Sequence, residues 1–509
     1  MVIFGNPLPA KNVKRAERTK NRYLRKFKGD EVPKKYGARI IPENTPSLGI
    51  RHIVPEGDTL NREKGVVLGT IRMGYGHYRI SLAIASAANS IGFTPYWLDF
   101  LSFKESRGAQ IITYLENLYN IGSRMSQGSR FFNRYVWEKI TGEAGLKLTS
   151  TARDQALTEL YAPICTPLPK DMSFIATHPW TGRAAVHAGM RNVITVIPDN
   201  LPMSFHLAPG SIHTVQTPSG YFGYRSLRNM GDPERILEPM PDAQIRYTGH
   251  YVDHELVSNI EKDCDLRLKR VKDGKARRIL LTIGGAGAQE KKFEAIVRFL
   301  NPYIQQGRIV LFVNMGDHKD RWDELKNTLD SEGIRYTFHN DWEKSRSFSE
   351  EVYRNDGKGI HVFLFTRIFH SVYMTNLLMR SSDLMITKPS ELSFYPVPKL
   401  FIQRVGRHEA WGAIRGAEIG DGTLETESTA SMLSALRLTI EEDDLIPFYC
   451  QNILKNKKAG VYNGAYNAVR LAVEARERKL RGIEDERGAA VLSRPGPSLI
   501  SKLLKPQRK

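Results

Sequence analysis

The chain has 509 residues, 41% of them hydrophobic, a globular composition that suits two large cores plus extensions, and it shows no internal repeat of solenoid length and no low-complexity segment. Its 74 Lys and Arg outweigh 55 Asp and Glu, a formal charge of +19. No apolar stretch approaches the ~20 residues of a spanning helix, and the apolar start is too short for a secretory signal, so a cytosolic protein is expected. Cys165, Cys264 and Cys450 lie far apart in sequence and fit no metal or redox spacing, which predicts a reducing compartment with no zinc and no disulfide framework.

The first 60 residues read as a basic extension carrying "KNVKRAERTKNRYLRKFKGDEVPKK" (11–35), and the last 29 as a basic tail ending "SRPGPSLISKLLKPQRK". Such ends suit an anionic partner, a phospholipid surface or nucleic acid, or are solvated tails; no RNA-binding fingerprint supports nucleic acid beyond charge.

From Gly65 short apolar runs alternate with helix-period segments, the pattern of βαβ units in a parallel sheet. "GVVLGTI" (65–71) is a buried strand that breaks into Gly74 and Gly76, with His77 directly behind. The following helix shows Ile80, Ala83, Ile84, Ala87 and Ile91 on one face and stops at Gly92. Strands follow at 94–100, 173–177, 192–197, 212–217 and 245–249, which bounds a first domain at 61–255. In "VIPDNLPMSFH", Asp199 stands at a strand end with His206 seven residues on, either as a turn former or to orient a hydroxyl or an imidazole. The stretch 109–142 mixes aromatic residues with arginines, as two amphipathic core helices or an interfacial element would.

Residues 256–276 are charged and poor in apolar residues, as a connection between cores would be. The pattern then restarts for a second domain at 277–430. "ILLTIGGAGAQ" is strand, glycine turn and helix start; Gly284, Gly285 and Gly287 there are either an anion-binding loop or a tight structural turn. "DLMITKPSELS" offers Lys388 and Glu391 at a strand end, and "VGRHEAWGA" clusters Arg407, His408 and Glu409; either set could grip phosphate and hydroxyl groups or be merely solvated. Residues 431–480 read as helices.

Taken in order, "GTIRMGYGHYRISLAIASA", "VITVIPDNLPMSFHLAPGSIHTVQTPS", "IRYTGHYVDHEL", "ILLTIGGAGAQ", "FLFTRIFHSVYMTNLLMRSSDLMITKPS" and "VGRHEAWGA" resemble the GT-B glycosyltransferases that include monogalactosyldiacylglycerol synthase, the processive diacylglycerol glucosyltransferases and the peptidoglycan N-acetylglucosaminyltransferase. The resemblance covers roughly residues 64–420. It departs from the family at "KPSELSFYPVPKLF", several residues shorter than the usual loop, and at "RHE", where glutamine before glutamate is common.

This resemblance implies an α/β fold of GT-B type, two doubly wound Rossmann-like domains facing a cleft. It implies an inverting transfer of a hexosyl unit from a UDP-sugar co-substrate to a hydroxyl of a lipid or lipid-linked acceptor, with no bound cofactor and no metal. His77 would be the general base, or would orient the acceptor hydroxyl, on an acceptor turn made by Gly74 and Gly76, with Asp199 a second catalytic residue. Gly284, Gly285 and Gly287 would face the diphosphate and the backbone at Phe365 and Thr366 the uracil. Lys388, Glu391, Arg407 and Glu409 would surround sugar and ribose. An element at 109–142 approaching the bilayer would make the protein peripherally membrane-associated at an anionic surface. A nucleotide-sugar epimerase of the same fold and a non-catalytic binding protein on a degenerate scaffold are the alternatives.

Overall fold

A computed structural model describes residues 1–29, 32–41, 48–128, 145–232, 234–284, 287 and 289–480. It divides into two compact units, one made of Met1–Met73, Ile80–Tyr251 and the chain from Asn463 onward, the other of Gly74–Arg79 and Val252–Tyr462.

The first unit opens with a hairpin, β1 (Val2–Ile3) and β2 (Asn6–Pro7), turned by Phe4 and Gly5 at positive φ. Its main sheet has eight strands: β3 (Gly37–Arg39), β4 (Arg51–Val54), β5 (Gly65–Thr70), β6 (Thr94–Asp99), β7 (Ser173–Ala176), β8 (Asn192–Val196), β9 (Ile212–Val215) and β10 (Ile245–Tyr247). Their order is β10-β9-β8-β7-β5-β6-β4-β3, parallel throughout except for β3 against β4. The apolar runs read as strands are buried on both faces, as helices covering both sides of a parallel sheet require; Val66, Val67 and Leu68 are fully enclosed. Strand order reverses at β5, between β6 and β7.

The second unit holds seven parallel strands: β11 (Arg277–Thr282), β12 (Ile309–Asn314), β13 (Thr337–His339), β14 (Gly359–Phe363), β15 (Leu384–Thr387), β16 (Lys399–Phe401) and β17 (Gly422–Glu425). They run β13-β14-β12-β11-β15-β16-β17, with the reversal between β11 and β15. The helix Glu290–Gln305 covers the sheet with Phe293, Ile296, Val297 and Leu300, a spacing that keeps one face inward. Both units are therefore doubly wound Rossmann-like sheets, the class that the alternating sequence pattern predicts.

Three segments behave differently from their composition. The basic first 60 residues supply β3 and β4 to the main sheet of the first unit, and the cationic helix Ala10–Lys26 buries Ala16 and Tyr23. Residues 256–276 form the helices His254–Ser258 and Ile260–Lys272. Arg267 and Arg270 point inward to partners: Arg267 donates to the Ser382 carbonyl at 2.8 Å and Arg270 to Asp383 at 2.7 Å, while Asp383 also accepts from the Arg278 amide. Satisfied in this way, a charged helix is part of a core. The helix Gly464–Leu480 belongs to the first unit, where Ser173 donates to the Ala472 carbonyl at 3.0 Å.

Of the aromatic stretch 109–142, the helix Arg107–Gly128 is described, with Tyr114 packed on Tyr23 and Phe27; residues 129–144, including Phe131, Phe132, Tyr135 and Trp137, lie outside the described residues. Among the described residues no helix is long and apolar enough to cross a membrane. All three cysteines are buried and free, and Cys264 hydrogen-bonds Cys450 between two helices of the second unit.

Candidate functional site

In a doubly wound sheet the loops at the carboxyl ends of the strands part where the order reverses, which leaves a crevice there. In the second unit this is the place between β11 and β15. The loop after β11 turns at Gly284 and Gly287, the latter at φ +61°, and the Gly287 amide donates to the Gly284 carbonyl at 2.9 Å. Gly285 lies outside the described residues.

Lys388, leaving β15, crosses directly over this loop. A Cβ on Gly284 would stand 2.5 Å from Lys388 Cε, so the lysine stem occupies the volume that the glycine leaves empty. Its ammonium pairs with Glu409, whose other oxygen accepts from the amides of Val405 and Gly406 at 2.8 and 3.0 Å. Arg407 begins the short 3-10 turn Arg407–Glu409 that delivers this carboxylate; its side chain lies outside the described ones. Next to the glycine loop, Gln289 adopts a left-handed backbone at φ +79°. Its Oε1, like Thr387 Oγ1 at the end of β15, is buried with no hydrogen-bond partner among the described residues. Orphaned polar atoms at a crevice of this kind are what a ligand satisfies.

The turn Gly74–Arg79 belongs to this same unit. Tyr75 donates its hydroxyl to Asp317 and accepts from the Asp317 amide at 2.9 Å; burial, reinforced by Asp317, pushes the phenol well above its ordinary range. Arg79 donates to Asn376 at 2.7 Å, and its Nε lies 3.7 Å from Glu391. A Cβ on Gly76 would meet the Glu391 carboxylate at 3.2 Å, so this glycine admits the side chain next to it. His77, half-buried, sits in the first turn of the helix Gly76–Ser90, between these two anchors in sequence. Gly74 bends the chain at φ +68° with open space around it. Beneath Arg79, Tyr395 donates to Asp253 at 2.7 Å, and burial raises the Asp253 carboxyl to about 6 despite that bond.

His318, at the end of the loop after β12, hydrogen-bonds the Gly284 carbonyl through Nε2 at 3.1 Å and packs against the Tyr75 ring. Burial lowers its pKa, against the raising effect of Asp317 and the Gly284 carbonyl. The Phe365 amide is taken by the Gly316 carbonyl at 2.9 Å, and Thr366 beside it is exposed.

Glu391, Gly76 and the His77 turn thus come together in the second unit, as do Lys388, Gly284 and Glu409. Asp199 belongs to the first unit, where its carboxylate stands 3.4 Å from His206 Nε2 while His206 Nδ1 meets the Tyr224 hydroxyl at 2.7 Å. Motif reasoning missed Tyr75, Arg79, Asp317 and His318. The last two follow a glycine at a strand end in "VNMGDHK", the same strand, glycine, helix punctuation that marks Gly284, and that was the available signal.

Residues 2–226 match the family model described as "Domain of unknown function (DUF6937)", and residues 240–473 the one described as "Domain of unknown function (DUF6938)". No curated protein matches the sequence. Among solved structures, an alpha,alpha-trehalose 6-phosphate synthase from Burkholderia multivorans is similar at 10% identity and a TM-score of 0.42, over 82% of this chain and 100% of its own. A UDP-GlcNAc 2-epimerase from Neisseria meningitidis bound to UDP-GlcNAc is similar at 12% identity and 0.41, over 81% and 98%. A glycosyltransferase from Rickettsia africae stands at 11% identity and 0.39, over 84% and 100%.

Proposed function

We propose that this chain is a GT-B glycosyltransferase that binds a UDP-sugar at the β11–β15 reversal and transfers its hexosyl unit, with inversion, to a hydroxyl of a lipid or lipid-linked acceptor. The observation that carries the reading is Lys388 lying across Gly284 at the sheet reversal. A cation and a glycine loop opening a helix converge there, the combination a diphosphate needs. The order of sequence motifs from residue 64 to 420 supports the same class.

His77 takes the proton of the acceptor hydroxyl; the freed oxygen bonds to the anomeric carbon as the bond from that carbon to the diphosphate oxygen breaks. The departing charge on UDP is met by the Lys388 ammonium and loop amides. Glu391 and Glu409 hold sugar or ribose hydroxyls, each already fixed by a cation of its own. Asp199, more exposed than the buried His206 ring that holds it, is read as orienting a hydroxyl on the first unit. The acceptor is met at an anionic membrane surface from the cytoplasmic side.

Calorimetry with UDP and a panel of UDP-sugars tests this. Binding is expected, with a loss of at least tenfold in Lys388→Ala. His77→Ala should still bind UDP yet release none from a UDP-sugar supplied with acceptor lipids. No binding of any uridine nucleotide overturns the donor assignment, and conversion of the UDP-sugar without an acceptor would reassign the reaction to epimerisation.

A further inference from the structure

The helix Ala10–Lys26 carries Lys11, Lys14, Arg15, Arg18, Arg22 and Arg25, all exposed. At 100° per residue these six fall within an arc of about 100° and run about 21 Å along the axis. The opposite side is committed to the fold, with Ala16 and Tyr23 buried and the helix lying on Leu148–Thr158. The only acidic residue in the helix, Glu17, pairs with Lys20 at 2.7 Å, and Lys20 also reaches Glu159, so neither neutralises the stripe. A fold that fixes such a row rigidly outward holds six like charges together against their own repulsion, a cost that an anionic surface removes.

We propose that this cationic face is the docking surface for an anionic lipid bilayer. The inference rests on the membrane part of the proposed function and assigns it to named residues. Charge complementarity identifies the partner as anionic, and the helix surface favours phospholipid headgroups over nucleic acid. No aromatic ring is exposed on the helix to stack a base, its one tyrosine being buried. Attraction of this kind needs no inserted helix and is set by the number of cations within a screening length of the surface.

The test is co-sedimentation of the full chain with phosphatidylcholine vesicles, with and without phosphatidylglycerol, at about 0.1 M salt. The protein is expected to pellet only with the anionic vesicles. The triple variant Arg15→Gln, Arg18→Gln, Arg22→Gln should bind them roughly 100-fold more weakly, three cations each contributing about a fivefold factor. A control of equal charge in the second unit, Lys344→Gln, Arg354→Gln, Lys358→Gln, should leave binding unchanged. Equal loss in both variants would mean that net charge alone acts, and equal binding to neutral vesicles that charge does not; either overturns the assignment. So does tighter binding of an oligonucleotide that the helix variant abolishes. The vesicles contain neither nucleotide nor acceptor, so a failure here leaves UDP binding standing, and a failure to bind UDP leaves this result intact.

Discussion

The Arg79 guanidinium, 2% exposed, lies 3.7 Å from the Glu391 carboxylate and hydrogen-bonds Asn376, which joins the glycine turn at 74–79 to the loop after β15. Gly76 makes this possible, because any side chain there would press on Glu391. Arg79→Met is therefore expected to destabilise the protein by about 2–3 kcal/mol, below the usual cost of breaking a buried pair because the separation is long and Glu391 retains some solvent. Urea unfolding would measure it. Adding Glu391→Gln should recover part of the loss by removing the stranded charge; an additive double variant would show that the pair is not coupled.

Gly284→Ala tests the crevice with little risk to the fold. The new methyl would overlap Lys388 Cε, the mobile end of a flexible side chain, so the lysine can swing away at small cost to stability. What it loses is its place over the loop. Melting within a few degrees of wild type is expected, with UDP affinity down roughly tenfold, about 1.4 kcal/mol. Unchanged affinity would mean that Lys388 does not need that position.

Most of the strand pattern is legible in the sequence because parallel strands buried on both faces are plain apolar runs; "GVVLGTI" and "RIVLFVNMG" contain β5 and β12 nearly to their ends. The strands β3 and β4 are not, being short segments amid lysines and arginines whose pairing is set by the sheet edge. The inward charges of Ile260–Lys272 defeat composition for another reason: a buried arginine looks like a surface one until its carbonyl partners, Ser382 and Met379, are brought in from more than a hundred residues away. The glycines of the site were visible, since their residue type announces the turn. Tyr75 and Asp317 were not, because a tyrosine after a glycine carries no mark of the aspartate it will meet 242 positions later.

That pair makes its own prediction. Gly316 has φ +64°, and a Cβ on it would stand 2.3 Å from the Tyr75 hydroxyl, so Gly316→Ala both strains the backbone and displaces the phenol from Asp317. A loss of about 2–4 kcal/mol is expected, against about 1–2 kcal/mol for Tyr75→Phe, which removes the two hydrogen bonds to Asp317 without straining the backbone. Thermal unfolding of both, and of the double variant, would separate strain from bond; equal losses in the two single variants would argue that strain contributes nothing.

His213 should make the first unit acid-sensitive. Its ring is fully enclosed, accepting from the Ala208 amide through Nε2 at 2.9 Å and bonding the Gln244 carbonyl through Nδ1 at 3.0 Å. Both nitrogens are used in the neutral form, and a proton on Nε2 would face an N–H. Burial accordingly lowers the pKa to about 4. The unfolded chain, titrating near 6.5, then binds a proton that the folded one refuses, so stability falls as pH drops from about 6.5 towards 4 and levels off below, by on the order of 3 kcal/mol. Asp99, its carboxyl raised to about 6 by burial, acts in the opposite sense over much of the same range, which is why the net curve alone does not isolate the histidine. The difference between wild type and His213→Gln does. Urea midpoints taken from pH 7 to pH 4 should fall less steeply in the variant, and parallel curves would place the acid sensitivity elsewhere.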